Sequence, residues 1–119
     1  MQEVLAGLVH DPALISRVMI EETLRYKRLD GVQAALETIA GTWFPAGRQA
    51  MDMRPALAAL TMPTQIIWGR DDRIIPVGHA EAFAGRLPVH LLDDAGHLPQ
   101  MEKAGEVNRL IARFVDSQP

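Results

Sequence analysis

Cysteine does not occur in these 119 residues, which excludes disulfides and thiolate-bound metal and suits a reducing compartment. No apolar run approaches the roughly 20 residues of a membrane-spanning helix. The opening stretch MQEVLAGLVHDP also lacks the basic segment and long apolar core of a secretory leader. A cytoplasmic protein without a membrane partner is expected. Aromatic residues make up only 5% of the chain, and Trp43 and Trp68 are not interleaved with basic side chains. The net charge of -3 has no block of one sign behind it, so nucleic acid is not an expected partner.

What is present is the profile of a folded protein: 48% hydrophobic and 23% charged residues, with both signs interspersed. The length is that of one modest domain or part of one. There is no internal repeat and no low-complexity tract, but the texture changes near residue 60.

Before that point the pattern is helical. Asp11 followed by Pro12 reads as a helix start, with the Asp as cap and the proline at the first helical position. Leu14, Val18 and Met19 then recur on one face toward Tyr26. A second start at Asp30 runs through Ala34, Ala35, Leu36 and Ile39 to Gly41, a candidate C-terminal glycine. TWFPAGRQ breaks the pattern, and a short helix is expected from about residue 54 to 60. Met19, Met51 and Met53 read as helix packing, with the lining of an apolar pocket as the alternative.

After residue 60 the pattern alternates. TQIIW, between Pro63 and Gly69, reads as a short apolar strand and VGHAEAFAGRL as a helix of about three turns. PVHLLD reads as a second strand. Val107, Leu110, Ile111 and Phe114 lie at the i, i+3, i+4, i+7 spacing of a final amphipathic helix. Two strands joined by a crossover helix are expected to be parallel. The fold class is therefore α/β: a helical segment over residues 1–60, then the βαβα end of a doubly wound parallel sheet over 61–119. A two-stranded parallel sheet is too small to stand alone, so further strands from elsewhere in a longer protein, or from a second copy pairing at the exposed edge, are expected.

Ligands of open parallel sheets gather beyond the carboxyl ends of the strands. Asp71 and Asp72 follow the first strand at that end, and DDAGHLPQ follows the second. An imidazole held by a carboxylate through Nδ1 is fixed in one tautomer, as a general base acting on a hydroxyl requires. Asp93 and Asp94 are alternative carboxylates, although residues so close to His97 in sequence more commonly shape its loop. Asp71 reads as a solvated neighbour or a partner of Arg70 or Arg73. Glu102 caps the last helix or holds the loop. His10, His79 and His90 read as packing or surface residues. No His pair stands at metal-binding spacing.

MPTQIIWGRDDRIIP, then VHLLDDAGHLPQME and a helix ending LIARFV, together resemble the C-terminal section of the α/β-hydrolase fold. The match runs from about residue 53 to 115, and the helical stretch before it resembles the cap that many members insert over the active site. The resemblance implies that Asp72, three residues after the glycine of W-G-x-x-D-x-x-x-P, is the acid, and that His97 in the G-H loop is the base. It also implies a serine in a G-x-S-x-G elbow. Here the chain departs from the family. Its only serines are Ser16 and Ser117, neither flanked by glycine, so the nucleophile and the oxyanion loop are expected upstream of Met1 and the chain alone is expected to be inactive.

Within the family, GHLPQMEKAGEVNRLIARFV, RYKRLDGVQAAL and TWFPAGRQ are most similar to the acyltransferase component of bacterial acetoin dehydrogenase systems. That implies an acyl substrate, with a lipoyl group as acetyl donor and coenzyme A as acceptor in a full-length protein, and the other subunits of such a complex as partners. Carbon–carbon bond hydrolases of meta-cleavage products are the nearest competitor. A catalytically inert self-assembling module is the alternative from a different class.

Overall fold

The computed structural model describes residues 1–118. In chain order the elements are α1 (Gln2–Ala6), α2 (Arg17–Lys27), α3 (Val32–Trp43), α4 (Arg54–Ala58), β1 (Ile66–Gly69), α5 (Gly78–Glu81), β2 (Val89–Leu92), α6 (Pro99–Glu102) and α7 (Ala104–Asp116). They divide into two compact units. One comprises residues 17–60; the other joins residues 1–16 to residues 61–119. The break at 60 lies where the texture changes, but residues 1–16 sit with the strands and not with the helical segment. The reason is backbone pairing: the His97 amide donates to the Leu8 carbonyl at 2.8 Å, and Val9 is fully buried.

In the helical unit, α2, α3 and α4 contain no buried residue. α3 runs past Gly41, so that glycine is interior to the helix and not its terminus. Pro45 ends the helix instead, because a proline disfavours helical backbone at the residue before it, and Phe44 is already at φ -130°. Gly31, with φ +80°, precedes α3 in a conformation that a residue with a Cβ adopts at a cost. Met51 and Met53 are each 49% exposed, in the irregular stretch before α4.

The sheet-bearing unit opens with α1. Asp11 does accept from the Ala13 amide, but it caps a single 3₁₀ turn at Pro12–Leu14, and α2 starts later, at Arg17. β1 and β2 pair in parallel, Ile66 with Val89 through Gly69 with Leu92. Between them the expected three-turn helix shrinks to α5: the Phe83 and Ala84 amides bond three residues back, to Ala80 and Glu81, and Gly85 at φ +85° then turns the chain out of helical geometry. Leu92, Ala95 and Val107 form the core, with Ile67 and Leu110 packed against them. Only one residue of α7 is buried, Val107, and Ile111 is 46% exposed; the helix meets the sheet along a narrower stripe than the apolar spacing offers. Gly69 and Leu92 are the buried residues of their strands, so packing is tightest at the carboxyl ends.

Candidate active site

At that end β1 runs into the loop carrying Asp71 and Asp72, and β2 into the loop carrying His97. The strand ends lock these loops together. The Arg70 amide donates to the Leu92 carbonyl and the Asp71 amide to the Ala95 carbonyl, both at 2.9 Å. Gly69 is essential to this approach, because a Cβ there would lie 2.1 Å from the Gly96 carbonyl oxygen and 2.3 Å from that of Ala95. Gly96 is pressed from the other side, where a Cβ would meet the backbone of Val9 and His10 at 2.9 Å.

The two residues that the resemblance singles out meet. His97 Nδ1 is 2.9 Å from Asp72 Oδ2. The Asp72 side chain is 3% exposed and that of His97 31%, so the carboxylate is sheltered while the imidazole reaches the surface. The second carboxylate oxygen, Oδ1, accepts from the amides of Ile74 at 2.8 Å and Ile75 at 2.9 Å. The Trp68 indole N–H donates to the Ile75 carbonyl at 3.2 Å and ties the same turn back to β1. Burial acts to raise the Asp72 carboxyl, but the Ile75 amide, the His97 ring and the Ile74 amide outweigh it and hold the carboxyl below its ordinary value.

The sign of that shift fixes a pH dependence. A carboxyl lowered in the folded state contributes stability that is fully present above the unfolded value of about 3.9 and is lost as pH falls through the folded value. In a full-length protein carrying these residues, the denaturant midpoint should therefore drop on acidification below about pH 4, and the gap between it and Asp72→Asn should narrow there. Midpoints measured from pH 3 to pH 7 check this; a gap independent of pH contradicts it.

With its proton on Nδ1, facing Asp72, the His97 ring keeps a lone pair on Nε2. That is the arrangement of a general base oriented by an acid. An open depression of about 160 Å³ lies over the pair, lined also by Ile67, Trp68, Gly69, Gly96, Pro99 and Gln100. It is smaller than the several hundred Å³ of a typical small-molecule pocket, and no Lys or Arg lines it.

The other acidic residues stay off the imidazole. Asp93 Oδ1 takes Arg70 Nε at 2.7 Å. Asp71 does not pair with an arginine; its Oδ2 is 2.9 Å from His10 Nδ1, a close contact without hydrogen-bond alignment. Asp94, in the left-handed conformation at φ +49°, shapes the turn. His10, Asp71 and Asp94 bring ligand-type atoms within 4.8 Å of one another, a grouping that no sequence spacing announces. Lys103 Nζ already supplies a cation there, 3.8 Å from Asp94 Oδ2, and Asp94 is 71% exposed. Glu102 holds the loop and does not cap α7, which has no side-chain cap. His79 lies in α5. His90 stands on β2 by a second depression, which also includes Ser117; the Ser117 hydroxyl donates to the Phe114 carbonyl. Among the described residues no helix is long and apolar enough to cross a membrane.

Comparison with known proteins gives the fold family and its relatives. The family profile for the alpha/beta hydrolase fold matches residues 14–104. The chain is 42% identical over 108 residues to the dihydrolipoyllysine-residue acetyltransferase component of the acetoin cleaving system of Cupriavidus necator, covering 91% of this chain and 29% of that protein. It is 32% identical over 108 residues to the 2-hydroxy-6-oxo-6-phenylhexa-2,4-dienoate hydrolase of Comamonas testosteroni, covering 86% of this chain and 38% of that one. The crystal structure of a meta-cleavage product hydrolase superposes with a TM-score of 0.82 at 22% identity, over 99% of this chain and 45% of the other. The chain thus spans less than half the length of each of these proteins.

Proposed function

Because the chain belongs to the alpha/beta hydrolase fold family, we propose that Asp72 and His97 are the acid and the base of an acyl-transfer centre whose serine comes from sequence outside these residues. The observation that carries this is the 2.9 Å contact between His97 Nδ1 and the buried Asp72 carboxylate. As the serine hydroxyl attacks a thioester carbonyl, His97 Nε2 takes its proton, and the charged ring is stabilised by Asp72. The proton then passes to the departing thiol. A second thiol, deprotonated by the same nitrogen, then attacks the acyl-serine: the acyl group passes to its sulfur, and His97 returns the proton to the serine oxygen.

The 42% identity to an acetoin-system acetyltransferase supports acetyl as the acyl group, a dihydrolipoyl thioester as donor and coenzyme A as acceptor. The cation-free depression suits the reacting ends of these molecules; phosphates would be held elsewhere. Water in place of the second thiol would make the same centre a hydrolase, the reading that the Comamonas testosteroni relative favours. Replacing the matched segment of the Cupriavidus necator protein with this chain tests the proposal. The chimera should make acetyl-coenzyme A from acetyl-dihydrolipoamide, and His97→Ala should abolish about 10³-fold or more of that rate. Release of free acetate alone would transfer the assignment to hydrolysis. An active His97→Ala chimera would remove His97 from the chemistry.

A further inference from the structure

Glu102 makes contacts that neither helix geometry nor the His97–Asp72 pair accounts for. Its Oε1 accepts from the Gly96 amide at 2.6 Å and its Oε2 from the His10 amide, also at 2.6 Å. The two amides belong to segments far apart in the chain, the loop that bears His97 and the stretch just before Asp11. An ionised carboxylate has acceptors on both oxygens and no donor, so it satisfies two converging N–H groups at once. Charge-assisted bonds of this length are the strong ones.

The Gly96 amide belongs to the residue immediately before His97. The His97 amide is itself anchored to Leu8, two residues before the other amide that Glu102 holds. The loop is therefore clamped on successive residues, with Glu102 closing the clamp. The imidazole reaches Asp72 from the open end of that clamp, since Asp72 is fixed separately by the Ile74 and Ile75 amides.

We propose that Glu102 is a positioning residue: its carboxylate sets the backbone from which His97 reaches Asp72, and so keeps the imidazole in register with the acid. Its consequence for turnover rests on the acid–base reading above. Its structural content does not.

The test uses nitrogen-15 imidazole spectra of the chimera described above, labelled at histidine, following the Nδ1–H resonance and the tautomer of His97, with thermal unfolding measured in parallel. In Glu102→Ala the Nδ1–H resonance should broaden or vanish, and amide exchange at Gly96 and His10 should speed up by about tenfold or more. Glu102→Gln keeps the size of the side chain but turns one acceptor into a donor facing an N–H. It should behave like Glu102→Ala if acceptance of both amides matters, and like wild type if Glu102 only fills space. A sharp, unchanged Nδ1–H resonance in folded Glu102→Gln would overturn the proposal. If a variant unfolds, Glu102→Asp replaces it: the shorter carboxylate keeps the charge, and a wild-type Nδ1–H resonance with either clamp bond lost would equally overturn the proposal. In the chimera described above, kcat should fall about a hundredfold with KM little changed, the signature of a misplaced group. Loss of the resonance without loss of rate would leave Glu102 as the positioning residue of the pair and overturn only the acyl-transfer reading.

Discussion

Asp72→Asn should cut acyl transfer by the chimera about 10⁴-fold while leaving the fold in place. The size of this effect comes from the way the Asp72 carboxylate is held. Oδ1 accepts from two backbone amides, which an asparagine must meet with its carbonyl oxygen. The NH₂ group is then forced toward His97 Nδ1. Two donors cannot face each other, so the ring gives up its Nδ1 proton and carries it on Nε2, the nitrogen that has to receive a proton from the serine. The charge that would stabilise the imidazolium is lost as well. Nitrogen-15 spectra of the chimera should show the tautomer switch directly. A chimera that keeps its rate, or a ring that keeps Nδ1–H in the variant, would refute the argument.

Gly69→Ala should be the most damaging single methyl in the sheet-bearing unit. The added Cβ would sit 2.1 Å from one carbonyl oxygen and 2.3 Å from another, and both belong to backbone, so no side chain can swing away. β1 must separate from the loop or the loop must move. Overpacking of this kind costs about 1–3 kcal/mol, occasionally more, out of a total stability of only about 5–15 kcal/mol. A fall of about 10 °C in Tm is expected, together with weakening of the His97–Asp72 resonance, because the displaced carbonyls belong to the two residues preceding His97. Thermal unfolding that matches wild type would show that the approach of strand and loop is looser than it looks.

Asp72 and His97 each sit in a local phrase with strand, glycine and turn around it, and short-range patterning reaches that far. β1, β2 and α7 were legible for the same reason, since their signals lie within a few consecutive residues. Glu102 was visible as a residue that might hold the loop, but not as a link to His10, because that bond spans 92 positions and leaves no periodicity behind. Asp71 is the solvated neighbour that its position suggests, 44% exposed, but its contact with His10, in place of an adjacent arginine, is another long-range link. Gly41 and Asp11 failed differently. Each carries a real local preference, for ending and for starting a helix, that a neighbouring proline and the extended backbone at Ile15 overrode.

The joining of residues 1–16 to residues 61–119 bears on the order of folding. The strand pair, its crossover and α7 can form from neighbours in sequence, whereas the bonds from Leu8 and His10 to the His97 loop and Glu102 require a far longer stretch of chain to close on itself. Loop-closure entropy and slow non-local pairing place such contacts late. During refolding the sheet should therefore gain its hydrogen bonds before His97 is brought into line, and the contact between its Nδ1 and Asp72 should be among the last that the chain forms.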